Sequence, residues 1–138
     1  MPDPITITAL QTDPGLIAAT LTMPDGTPIV FRPLGPDDAG ILGEYFLGLS
    51  DETRRRYGPH PFDQATADQL CANIDLAHTL RMIGILNEAG RPRMVAYIIL
   101  LLGITQGDRE HYARNHIALN PDTDCTLAPS LADAYQNR

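Results

Sequence analysis

Lysine and tryptophan are both missing from this chain, and cysteine occurs only twice. With no lysine, all ten basic residues are arginine; they face seventeen acidic ones, and the formal net charge is −7. Such a chain is a poor candidate for non-specific nucleic-acid binding, which depends on neutralising phosphates, so no nucleic-acid partner is expected. Cys71 and Cys125 lie far apart with no CxxC spacing, which argues against a metal site and a disulfide framework and for reduced thiols. Aromatics make up only 6% of residues, so Leu, Ile, Val and Ala must do most of the packing. There is no long apolar run either. The most hydrophobic stretch, Met94 to Ile104, falls short of the ~20 residues needed to cross a bilayer. The opening MPDPITITAL lacks the basic start and apolar run of a signal peptide. No membrane partner and a cytoplasmic location are the expectations.

What is present suits one domain: 138 residues, 43% of them hydrophobic, are enough for a modest core. Residues 1–19 carry weak signals, with a short strand expected at Ile5–Leu10, and read as an N-terminal extension to a domain over 20–138. Thr20 to Leu34 reads as a hairpin, because Pro24 presets a turn dihedral and Gly26 can take the left-handed conformation. Pro36, Asp37 and Asp38 suit a helix start, and Ala39, Leu42, Tyr45, Phe46 and Leu49 follow at helical spacing. A short helix capped by Ser50 is expected over Asp51–Tyr57, ended by GPHPF, and a third over Gln64–His78. TLRMIGIL and RMVAYIILLLGIT read as strands joined by a loop over 87–91. A long polar connection over 106–123 is either a helical excursion or a loop near function. The last strand is expected at Asp124–Ala132.

The stretch IVFRPLGPDDAGILGEYFLGLS, then RMIGIL and RMVAYIIL, then LAPSLADAYQNR, come in the order of the first strand, first helix and next three strands of the GNAT superfamily of acetyl-CoA-dependent N-acetyltransferases. The chain resembles the N-terminal half of that family over residues 27–138. The resemblance implies an α+β fold, with a mixed, mostly antiparallel sheet and helices packed on it. It also implies that Gln136, Asn137 and Arg138 match the first three positions of the cofactor motif Q/R-x-x-G-x-G/A. The glycines of that motif do not follow, so the domain reads as truncated and weak or absent acetyl-CoA binding is expected. Backbone donors of the glycine turn and the helix behind it grip the pyrophosphate in the family, and helix N-termini bind anions in this way generally.

Other positions carry over from the resemblance one by one. Leu131 matches the apolar position whose backbone pairs with the pantetheine arm, and Asp133 lies two residues beyond it. Thr126 stands where the family often has a glutamate base. Asp124, two residues earlier and hence on the same strand face, is the candidate substitute; its alternative is a solvated strand-end residue. Arg54–Arg56 is either a solvated helix face or an anion site. His60 either borders the acceptor groove or packs at a turn, and Tyr57 has the same two readings. His111 and His116 are five apart, whereas ligands on one helix face stand three or four apart, so no metal is expected.

Two readings of function follow. One is an N-acetyltransferase acting on an amine acceptor, inactive as this chain alone, with the acidic charge leaning toward a cationic amine. The other is a non-catalytic oligomerising or regulatory half-domain. In either case a homodimer is expected, formed through sheet surfaces left without cover.

Overall fold

The computed structural model describes residues 5–56, 60–120, 122 and 124–136. The N-terminal segment forms a helix, α1 (Ile7–Thr12), where an alternating I-T-I-T pattern suggested a strand. The reason is local: the Thr6 hydroxyl accepts from the Ala9 backbone N–H at 3.1 Å and caps the first turn. A 3₁₀ turn, Pro14–Ile17, leads into β1 (Ala19–Thr22), which pairs with β2 (Pro28–Pro33). Their turn closes as the sequence suggests. Gly26 has φ +89°, and the Asp25 carboxylate accepts from Thr27 N at 2.9 Å.

Three helices follow: α2 (Ala39–Gly48), α3 (Asp51–Arg56) and α4 (Gln64–Ala72). Ser50 caps α3 through Thr53 N at 3.2 Å, and Asp63 caps α4 through Thr66 N at 2.7 Å. Residue 57 lies outside the described residues. α4 stops short of the expected His78. Both Asn73 N and Nδ2 donate to the Gln69 carbonyl, and Asp75 then folds the chain over itself by accepting from Ala77 N and the His78 ring. Side chains that bond nearby backbone compete with helix propagation, and here they win.

The two longest strands, β3 (Thr79–Glu88) and β4 (Arg91–Leu102), are joined by Ala89 and Gly90 alone, at φ +54° and +81°. Two consecutive positive φ values make the tight turn whose twist matches a hairpin. The polar connection contains α5 (Gln106–Arg114), capped by Thr105, and the chain returns as β5 (Cys125–Leu131). All pairings are antiparallel, in the order β1-β2-β3-β4-β5. Among the described residues, no helix is long and apolar enough to cross a membrane.

The sheet has two unlike faces. On one, Ile83, Tyr97 and Ser130 share a rung, and α2 packs over them. Tyr45 Oη and Ser130 Oγ are 2.7 Å apart, and the Phe46 and Tyr97 rings stand edge to face at 5.4 Å. The second face follows from the same register. Its rungs are Phe31–Gly84–Ala96–Leu131, Met82–Ile98–Pro129 and Leu80–Leu100–Leu127. Gly84 is required there, since a Cβ would lie 2.9 Å from both Ala96 Cβ and the Phe31 ring.

Candidate functional site

β5 ends at Leu131, and the chain turns through a second 3₁₀ segment, Asp133–Tyr135, alongside α3. Ser50 N (3.3 Å) and Thr53 Oγ1 (3.1 Å) both donate to Asp133 Oδ1. Those bonds from Ser50 and Thr53 hold the exposed Asp133 carboxyl below the usual range, against a small desolvation cost. Gln136 Nε2 donates to Thr53 Oγ1 at 3.2 Å and to the Leu131 carbonyl at 3.1 Å. Leu131, Asp133 and Gln136 are therefore brought together, and Ser50 and Thr53 join them. Asn137 and Arg138 lie outside the described residues.

These groups border a cleft of ≈ 810 Å³. Its floor is the apolar sheet face at Phe31, Ala96, Ile98, Pro129 and Leu131, and its wall is Glu52, Thr53 and Arg56 with Asp133 and Gln136. An apolar floor with a few convergent polar groups is the usual build of a small-molecule site.

Asp124 stands apart from this cleft, about 17 Å along β5 from its nearest lining residue on that strand, Pro129, at strand rise. Its Oδ2 accepts from Asn120 N at 2.7 Å, and its own N–H donates to the Asn120 carbonyl, closing the loop before the strand. Thr126 Oγ1, on the strand itself, donates to Asp108 Oδ2 at 2.8 Å. A carboxylate thus reaches position 126 from α5. Asp108 and Asp124 line one smaller cleft of ≈ 320 Å³ with Tyr112 and Leu119. No spacing rule joins residues 108 and 126, because the contact exists only once α5 folds.

The arginine run divides between structure and the cleft wall, Arg54 serving the first and Arg56 standing on the second. Arg54 Nη2 donates to the carbonyls of Phe46 (3.0 Å) and Leu47 (3.2 Å) at the end of α2, and Arg56 pairs with Glu52 at 2.6 Å. His111 sits on α5 and His116 beyond it, and among the described residues no three His, Cys, Asp or Glu come together in a metal-holding group.

His60 takes the packing role. Its Nδ1 donates to the Pro61 carbonyl at 2.7 Å, which leaves Nε2 as the acceptor for Tyr97 Oη at 2.8 Å; Tyr97 Oη in turn accepts from Arg81 Nε at 3.1 Å. Burial lowers the His60 pKa from 6.5, the Arg81 charge adds to this, and the Pro61 carbonyl offsets part of it. Protonation would put a hydrogen on Nε2 and remove the acceptor Tyr97 needs. Because the folded value lies below the unfolded one, the stability this ring contributes is present above the unfolded pKa and is lost as pH falls through the depressed value. A ring-carbon NMR titration should give His60 a pKa below 6.5. A value at or above that would break the hydrogen-bond assignment.

No family model and no curated protein matches this sequence. Among solved structures it is similar to the GNAT domain of S. lividans PAT, at 20% identity and a TM-score of 0.61. The alignment covers 88% of this chain and 63% of that one. The fold is that of a GNAT domain. The chain spans less than two thirds of the GNAT domain it matches, and β5 forms one border of its sheet.

Proposed function

We propose that this chain carries part of an N-acetyltransferase site, for transfer of an acetyl group from acetyl-CoA to an amine. The observation behind this reading is the group at the end of β5. Leu131, Asp133 and Gln136 meet Ser50 and Thr53 on a ≈ 810 Å³ cleft, on the strand the sequence resemblance assigns to the cofactor. In such a transfer the protein positions the amine and accepts its proton. Asp124, the candidate acceptor, lines the smaller cleft with Asp108 beside Thr126 and not this one, so its part in the transfer rests on the sequence resemblance alone; the net acidic charge favours a cationic amine.

The described residues fit the cofactor only in part. The Leu131 carbonyl, which the pantetheine arm would use, already accepts from Gln136. Among the described residues β5 is followed by a short 3₁₀ turn, Asp133–Tyr135. No step is therefore assigned to the cofactor, and weak binding is the expectation. The same occupied carbonyl favours the second reading, a non-catalytic half-domain.

Amide NMR during an acetyl-CoA titration tests both. The expected result is shifts at Ser50, Thr53 and residues 131–136 with a Kd in the high micromolar range or weaker. A low-micromolar Kd would overturn the expectation of weak binding. No shift around the cleft at millimolar cofactor would overturn the acetyl-transfer reading and leave the non-catalytic one.

A further inference from the structure

The register shows which way the Leu131 carbonyl points. Leu131 pairs with Ala96, and Ala132 N donates to the Val95 carbonyl at 2.8 Å. A bond between those flanking residues makes Leu131–Ala96 a non-hydrogen-bonded pair, so the N–H and C=O of Leu131 turn away from β4. Strand pairing with β4 thus leaves this carbonyl to another donor, and Gln136 Nε2 takes it at 3.1 Å. The donor is a primary carboxamide on an exposed side chain, held from its other side by Thr53 Oγ1 at 3.2 Å.

We propose that Gln136 is a latch on the cleft: its carboxamide stands in for a ligand's amide N–H, and the ligand must displace it to reach the Leu131 carbonyl. The latch rests on reading the ≈ 810 Å³ cleft as a ligand site. Its bonds are built to be exchanged. Thr53 Oγ1 still donates to Asp133 Oδ1 and accepts from Ser50 Oγ, at 3.1 Å each, after Gln136 leaves. Asp133 keeps its bond from Ser50 N, and Tyr135 N keeps its bond to the Ala132 carbonyl. A rotation of the Gln136 side chain is therefore enough, and the backbone before it stays in place. The group vacated is an acceptor, which an N–H satisfies and a carboxylate or phosphate oxygen does not. Beside it the floor is apolar, at Phe31, Ala96, Ile98 and Pro129. An extended, amide-bearing chain matches both features. Free of the latch, the cleft should bind such a ligand about three- to tenfold more tightly, the weight of a neutral hydrogen bond in water.

Acetyl-CoA, whose pantetheine arm carries amide N–H groups, is the probe. Backbone and side-chain amide NMR follows its titration into the wild type, Gln136→Ala and Gln136→Met. In the free wild-type chain the Gln136 side-chain NH₂ resonances should stand apart from those of free glutamine and move toward them as cofactor is added. Both variants lack the donor and should show a Kd about three- to tenfold lower than the wild type, with shifts at Leu131, Ala96 and Ile98. Gln106→Ala removes an exposed carboxamide on α5 that pairs with Glu110, and should leave the Kd unchanged. Equal Kd values for the wild type and both Gln136 variants would overturn the latch and leave the acetyl-transfer reading standing. So would Gln136 resonances that match free glutamine and ignore the cofactor. No binding by any of these chains at millimolar cofactor would overturn both.

Discussion

Phe46→Ala should lower the unfolding free energy by about 3–5 kcal/mol, the usual cost of emptying a buried aromatic site. Phe46 has no exposed surface, and it lies among Tyr97 at 5.4 Å, Phe62 at 5.3 Å and His60 at 5.1 Å between ring centres. Those neighbours belong to β4 and to the segment before α4, so the ring ties the helical layer to the sheet. They are also held by their own bonds, His60 to Tyr97 and Tyr97 to Arg81, and cannot collapse freely into the space left behind. A cavity that cannot relax lies at the costly end of the range. The adjacent Leu47 is 62% exposed, and Leu47→Ala should change stability by less than about 0.5 kcal/mol. Urea unfolding of both variants at one protein concentration measures the contrast, since dimer formation would otherwise shift the midpoints. A loss of under about 1 kcal/mol for Phe46→Ala would mean that the helical layer is not anchored through this ring.

The register of such contacts was only partly open to sequence reasoning. Alternation along TLRMIGIL and RMVAYIILLLGIT identifies β3 and β4, because the pleat forces side chains to opposite faces. The 3.6-residue spacing of Leu42, Tyr45, Phe46 and Leu49 likewise identifies α2 and its buried side. Ile5 to Leu10 misled because alternating Ile and Thr fit a strand pattern equally well, while a single hydroxyl at Thr6 decided for a helix. Distance in the chain hid the site. Asp133 meets Thr53 from 80 residues away, and Thr126 meets Asp108 from 18. Ser50 was legible as a cap, yet that its backbone N–H would also hold Asp133 depends on where β5 ends. Asp38 shows the same limit in one residue. Beside Asp37 it suits a helix N-terminus, but its side chain makes no cap bond and turns back to Arg32.

That pairing leads to the second large effect. Both Asp38 oxygens accept from Arg32, Oδ2 from Nη1 and Oδ1 from Nη2 at 2.7 Å each, and Oδ2 also accepts from Gly35 N at 2.6 Å. The Asp38 side chain is 9% exposed and that of Arg32 36%. Burial works against the charge on Asp38, but the bonds from Arg32 and Gly35 and the Arg32 charge outweigh it and hold the carboxyl below 3.8. Arg32→Ala would leave a buried carboxylate with one backbone donor, at a cost of about 3 kcal/mol. Asp38→Ala should cost less, because the freed guanidinium can turn to water and already donates to the Pro33 carbonyl. Adding Asp38→Ala to Arg32→Ala should therefore recover stability, the opposite of two independent losses. The pH dependence has a definite sign. In the wild type the folded value is depressed, so the pair's contribution is present above 3.8 and is lost as pH falls through the lower value. In Arg32→Ala burial is opposed only by the smaller effect of the Gly35 donor and raises the folded value, so its deficit eases as acid neutralises Asp38. The stability gap between the two chains should narrow steadily from neutral pH toward the carboxylate range, as measured by urea midpoints at each pH. A gap that stays constant would show that Asp38 reaches water once Arg32 is gone.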